Sequence, residues 1–146
     1  MTFKFTINPV LAAVILIAAM FIIPVRCSQA TESGDEYRWV ATEAAWQILN
    51  YADWMQTRQI ARDPDRYREH NPILGDHPSL EAVNVYMVVG SAAHLAASYY
   101  IPEVMQAAGA PDSWVKNSRA VFQYVTIGLT AGCVANNYAI GLRVSF

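Results

Sequence analysis

Long apolar stretches broken by short polar ones run the length of this chain, on the scale of membrane-crossing helices. Pro9 to Val25 is seventeen residues without a polar side chain, with Lys4 before it and Arg26 after it. Between Glu81 and Glu103 there are 21 residues without charge, and between Arg119 and Arg143 there are 23. Each of these two matches the ~20 residues that a helix needs to cross the hydrocarbon layer. The stretch from Arg38 to Thr57 has similar length and carries Trp39, Trp46 and Trp54, but it also holds Glu43 and Asp53. Insertion scales charge ~2.5 kcal/mol or more for Asp near mid-helix, so this segment is expected to insert only with partners. The pattern predicts an all-α fold, a polytopic transmembrane helical bundle of four spans.

The first run decides between four spans and three. Pro24 and the small residues of Ser28-Gln29-Ala30 suit a cleaved signal peptide. The run's length suits an anchor, since it just reaches the ~17 residue minimum for spanning. Residues 1–30 are therefore read as an N-terminal anchor or signal peptide, and 31–146 as the helical membrane bundle.

Turn-forming pairs mark the connections. Asp63-Pro64, Asn71-Pro72 and His77-Pro78, with Gly75 among them, make Arg58 to Ser79 a structured turn region. Pro102 to Ser118 reads as a second loop with room for a short surface helix. Arg58, Arg62, Arg66 and Arg68 crowd the first of these loops, which places it in the cytoplasm by the positive-inside rule. Lys4 and Arg143 then fall on the same side, so both termini are cytoplasmic if the first span is retained. Ile140, Leu142, Val144 and Phe146 alternate like a barrel strand, but one such strand does not make a barrel, and runs above 20 residues are helix lengths.

Polar residues recur inside the three later spans at offsets of 0, 7, 10 and 14. They are Glu43, Asn50, Asp53 and Thr57 in the second span, Asn84, Ser91, His94 and Ser98 in the third, and Gln123, Thr130, Cys133 and Asn137 in the fourth, with Thr126 at offset 3. Such offsets return to nearly one helix face. An unpaired polar group in hydrocarbon costs several kcal/mol, so the stripes are expected to face one another. The simpler reading is interhelical glue, worth ~0.6 kcal/mol per hydrogen bond.

Antiparallel neighbours bring particular members to one depth. An inner cluster gathers Asp53, Thr57, Asn84 and Asn137 beneath Glu69 and Asn71 of the loop. Its carboxylate and amide oxygens are hard ligands suited to a cation or a lipid head group, and a self-satisfied Asn and Asp network is the structural alternative. An outer cluster gathers Glu43, His94, Ser98 and Gln123. There a Glu43–His94 hydrogen bond or proton relay competes with a neutral, satisfied histidine. Gly128 and Gly132 form a G-x-x-x-G on the opposite side of the fourth span from Thr130, a candidate face for a homo-oligomer.

Composition narrows the function classes. Hydrophobic residues make up 54% and charged residues 15%, which is more apolar and far less charged than soluble domains. The net charge is −2, and the ten Lys and Arg residues form no phosphate-neutralising stripe, which argues against nucleic acid. Cys27 and Cys133 lie far apart without metal-ligand spacing. No metal site is expected, no cofactor is indicated, and the common catalytic signatures are missing.

Asn50-Tyr51-Ala52-Asp53-Trp54-Met55-Gln56-Thr57, followed by Glu69-His70-Asn71-Pro72-Ile73-Leu74-Gly75, resembles a pattern in small uncharacterised helical membrane proteins of bacteria and phages. In that family an Asp-x-x-x-Thr at a helix end precedes a Glu-x-Asn-Pro loop. The resemblance covers about a fifth of the chain and carries no activity. It implies a compact helical bundle with Asp53, Thr57, Glu69, Asn71 and Pro72 as signature positions. The expected role is a noncatalytic, partner-binding or oligomerising component of the bacterial inner membrane. The alternative is an enzyme or ligand-binding protein acting on a lipid or ion at the inner cluster.

Overall fold

A computed structural model describes residues 33–144; the first apolar run and the choice between anchor and signal peptide lie outside the described residues. Within them the chain is all α-helical, with no strand. Helices α1 (Ser33–Arg62), α2 (Leu80–Ala107) and α3 (Asp112–Ala139) each pack against the other two, forming a three-helix bundle.

The helix ends follow from local chemistry. Helix α1 stops before Asp63-Pro64, because the residue before a proline is pushed out of the helical region. Helix α2 opens on Ser79, whose Oγ accepts from the Ala82 amide at 3.1 Å, with Glu81 in the positively polarised first turn. It closes on Gly109, at φ 75°, a left-handed position that glycine occupies without a Cβ penalty. Pro111 then leads into α3.

One expectation fails here. Pro102 does not begin a loop. It sits inside α2, which continues to Ala107, and the connection to α3 shrinks to the few residues around Gly109. A proline within a helix leaves the carbonyl four residues earlier, that of Ser98, without its N–H donor. Arg119 of α3 supplies the replacement: Nε donates to Ser98 O at 2.8 Å and Nη2 to Tyr99 O at 2.9 Å.

The loop between α1 and α2 folds on itself. Glu69 N donates to Asp76 O at 3.0 Å, closing a turn in which Asn71 O accepts from Leu74 and Gly75 and Asn71 Oδ1 accepts from Ile73. After α3 the chain reverses at Gly141, φ 100°, and drives Leu142 fully into the bundle. Arg143 N then ties the tail to Gln59 Oε1 of α1 at 2.9 Å.

The interior is unusual in kind. The described buried residues include six apolar ones, Trp46, Met55, Ile60, Val83, Met87 and Leu142, against seven polar ones, Glu43, Asn50, Gln56, Thr57, His94, Ser98 and Gln123. Among the described residues seventeen large apolar side chains are exposed instead. Helix α2 is long and apolar enough to cross a membrane by length and composition, and among the described residues it alone meets that criterion.

Candidate functional site

The best-knit part of the seam surrounds His94. Its Nδ1 lies 3.1 Å from Glu43 Oε1 and its Nε2 lies 2.8 Å from Thr126 Oγ1. The ring stacks on Trp46 at 3.5 Å between centroids, nearly parallel, and meets Phe122 at 4.8 Å. Glu43 is held on both oxygens: Gln47 Nε2 donates to Oε1 at 2.9 Å and Gln123 Nε2 to Oε2 at 3.3 Å. Ser98 Oγ accepts from Trp39 Nε1 at 2.7 Å and from Gln123 Nε2 at 3.1 Å. All four expected members, Glu43, His94, Ser98 and Gln123, are therefore brought into one network.

Proton placement follows from these contacts. With Glu43 ionised, Nδ1–H donates to its carboxylate, and Nε2 accepts from the Thr126 hydroxyl when His94 is neutral. If His94 gains a second proton, Nε2–H donates to Thr126 Oγ1, and the hydroxyl turns to Phe122 O or Gln123 O, at 2.9 and 3.0 Å. Both ring nitrogens are therefore partnered, and the Thr126 hydroxyl has backbone acceptors besides the imidazole. Thr126 also lines an open apolar groove of about 530 Å³ with Ile101, Met105, Trp114, Val121 and Phe122. The row of carboxylate, imidazole and hydroxyl has the order of an acyl-transfer triad, but that reaction also needs donors aimed at a developing oxyanion. Asn117 and Ser118, polar residues of the groove, donate to carbonyls of their own helix instead.

The inner cluster is looser. Asn137 Nδ2 donates to Asp53 Oδ1 at 3.1 Å, and Glu69 is near enough to act electrostatically on Asp53. Thr57 is buried at the same end of α1. Asn84 does not join them: its Oδ1 accepts from Trp54 Nε1 at 2.9 Å. Asn71 N instead donates to Glu69 Oε1 at 2.9 Å, as His70 N does at 2.8 Å, so Asn71 organises the loop. On α3 the stripe drifts, leaving Thr130 half-buried and Cys133 exposed.

Residues outside the stripes complete the seam. Gln47, Trp39 and Arg119 bind the outer cluster, and Gln56 is fully buried beside the inner one. Gln56 Nε2 donates to Val134 O at 3.3 Å, while its Oε1 has no partner. Among the described residues no three His, Cys, Asp or Glu side chains are grouped to hold a metal ion. No protein-family model matches the chain, and neither a curated protein nor a solved structure matches it.

Proposed function

We propose that this chain is a small integral membrane protein of the bacterial inner membrane, acting as a noncatalytic component that binds a partner or a second copy of itself. The observation that carries this reading is the reversal of inside and outside: carboxylate, imidazole and amide side chains fill the bundle, and large apolar ones cover it. In water that distribution leaves apolar area unburied, whereas in lipid it satisfies the polar groups and solvates the rest. In this reading α1, α2 and α3 all span, the arginine-rich loop faces the cytoplasm, and the N-terminal run is a fourth span or a cleaved signal.

Helix α3 supports the self-association part. Gly128 and Gly132 are exposed, an added Cβ at either would meet nothing within 4 Å, and Val121, Val125 and Leu129 lie exposed nearby. Small residues of this kind let two helix backbones approach closely in lipid.

Two measurements test the proposal separately. Membranes from expressing cells are washed with alkaline carbonate; the protein is expected to stay in the pellet, and release into the supernatant refutes membrane integration. A Val125→Cys variant lacking Cys27 and Cys133 is then oxidised in native membranes. A crosslinked dimer or heterodimer is expected, and it is expected to weaken when Gly128→Ile is added. Monomer alone, with no partner, refutes the association reading.

A further inference from the structure

A cavity of about 320 Å³ opens where α1 ends and the C-terminal tail returns to it, with Arg62, Asp63, Arg66, Tyr67 and Arg143 in its wall. Short contacts hold its three parts together. Arg66 N and Tyr67 N donate to Asp63 O at 3.2 and 3.0 Å, which curls the loop over the end of α1. Arg143 N donates to Gln59 Oε1 at 2.9 Å, which holds the tail against α1. Tyr67 joins loop to tail, with its hydroxyl 3.7 Å from where a Cβ on Gly141 would stand.

The charge in this wall is one-sided. Three arginines stand with a single carboxylate, Asp63, in a chain whose net charge is −2. Among the described residues none of the three is in an ion pair; the pairs formed there are Arg68 with Asp76 and His94 with Glu43. Two of the guanidiniums rest on neutral groups instead. Arg143 Nη1 donates to Tyr138 O at 2.7 Å and to Leu142 O at 2.9 Å, with the guanidinium 3.9 Å from the centre of the Tyr138 ring. Its Nε and Nη2 hydrogens remain for a ligand. The Arg66 guanidinium lies 5.2 Å from the centre of the Tyr67 ring. Carbonyls and ring faces orient a guanidinium without cancelling its charge. The hydroxyl of the half-buried Tyr67 makes no hydrogen bond among the described residues. The wall therefore presents oriented, uncompensated positive charge and an unused O–H donor to one shared space.

We propose that this cavity binds a phosphate group, with Arg62, Arg66 and Arg143 as its cationic contacts and the Tyr67 hydroxyl as a further donor. The planar guanidinium fork matches two phosphate oxygens at once. Three arginines around one cavity suit a single phosphate, whereas nucleic acid presents a run of them. Two sources share this chemistry, a phospholipid head group and free phosphate. The lipid source rests on the membrane reading above, in which the arginine-rich loop lies at the cytoplasmic face, where anionic head groups gather around basic side chains. The phosphate site itself does not need lipid around the bundle.

Full-length protein in maltoside detergent is heated with sodium phosphate, or with NaCl of equal ionic strength, and followed by tryptophan fluorescence. In parallel, native mass spectrometry reads which lipid the protein retains from an equal mixture of phosphatidylglycerol and phosphatidylcholine. A higher unfolding midpoint in phosphate than in NaCl supports the site with free phosphate as a source, and preferential retention of phosphatidylglycerol supports it with lipid as the source. Arg62→Gln, Arg66→Gln and Arg143→Gln are each expected to weaken the preferred binding about tenfold, as for one lost charge-assisted contact. Arg38→Gln, exposed near the opposite end of α1, is expected to keep it. Should Arg143→Gln loosen the tail, Arg62→Gln and Arg66→Gln decide, since both side chains are exposed. The inference is overturned if neither probe is preferred, if Arg62→Gln and Arg66→Gln respond as the unaltered protein does, or if Arg38→Gln loses binding equally. The carbonate wash judges the membrane reading separately, so a chain that stays in the pellet and prefers neither probe overturns this inference alone.

Discussion

Arg119 of α3 donates to the one carbonyl of α2, that of Ser98, that Pro102 leaves without a helical donor, at 2.8 Å. The helix continues through its proline because a side chain from a neighbour takes the place of a backbone N–H. The same guanidinium lies 5.2 Å from the ring of Trp39 of α1, so a single residue joins all three helices at the outer end.

That relationship gives a coupled prediction. Arg119→Ala is expected to lower stability by roughly 2–3 kcal/mol, the range for losing a hydrogen bond from a charged donor. In a Pro102→Ala background the N–H returns, and the cost of Arg119→Ala is expected to fall by about 1 kcal/mol or more. A double-mutant cycle of denaturant unfolding in mild detergent reads the difference, and additive effects sink the account.

His94 should be intolerant of truncation. His94→Ala removes one hydrogen-bond donor from the buried Glu43 carboxylate and opens a void against Trp46, so a loss of roughly 3–5 kcal/mol is expected from the lost bond and the cavity together. Glu43→Gln keeps an acceptor for Nδ1 and is expected to cost only about 1 kcal/mol. Equal costs for the two variants would show that the carboxylate charge, and not the hydrogen bond, dominates.

The C-terminal tail is a structural lock. Leu142 is fully buried after a reversal at Gly141. Leu142→Ala is expected to cost roughly 2–5 kcal/mol through the cavity it leaves. Gly141→Ala is expected to cost about 1–2 kcal/mol because its positive φ suits glycine. Hydrogen exchange at the Arg143 amide, bonded to Gln59 Oε1, is expected to speed up in both, and unchanged protection would argue against the lock.

The seam is largely legible on α1 and α2: Glu43, Asn50, Thr57, His94 and Ser98 of their stripes are buried, and Asp53, Asn84 and Ser91 are half-buried. On α3 it is only partly legible. There Gln123 is buried, Thr130 and Asn137 are half-buried and Cys133 is exposed, and offset 10 stands ~80° away from offset 0 at ~100° per residue. Gln56 falls at offset 13 from Glu43, between the members of the stripe, and so outside the pattern, although it is three residues from Asp53 and shares its side of the helix. Proline usually ends a helix, and Pro102 does not. The available signal was Arg119, a charged side chain at the edge of an apolar run with no acidic neighbour in sequence.

A charge placed on the outside of each helix in turn measures how many of them lipid surrounds. Ile48 on α1, Val89 on α2 and Leu129 on α3 are 70%, 54% and 66% exposed, so none of them supports the core. In water, an arginine at such a position changes stability by no more than ~0.5 kcal/mol. In the hydrocarbon region it is penalised by ~2.5–3.5 kcal/mol near mid-helix. If all three helices span, Ile48→Arg, Val89→Arg and Leu129→Arg are each expected to reduce insertion in a glycosylation-mapping assay. If α2 alone crosses the membrane, as length and composition alone select it, only Val89→Arg carries the penalty. Three silent substitutions would place the whole bundle in water and remove the reason for turning its polar side chains inward.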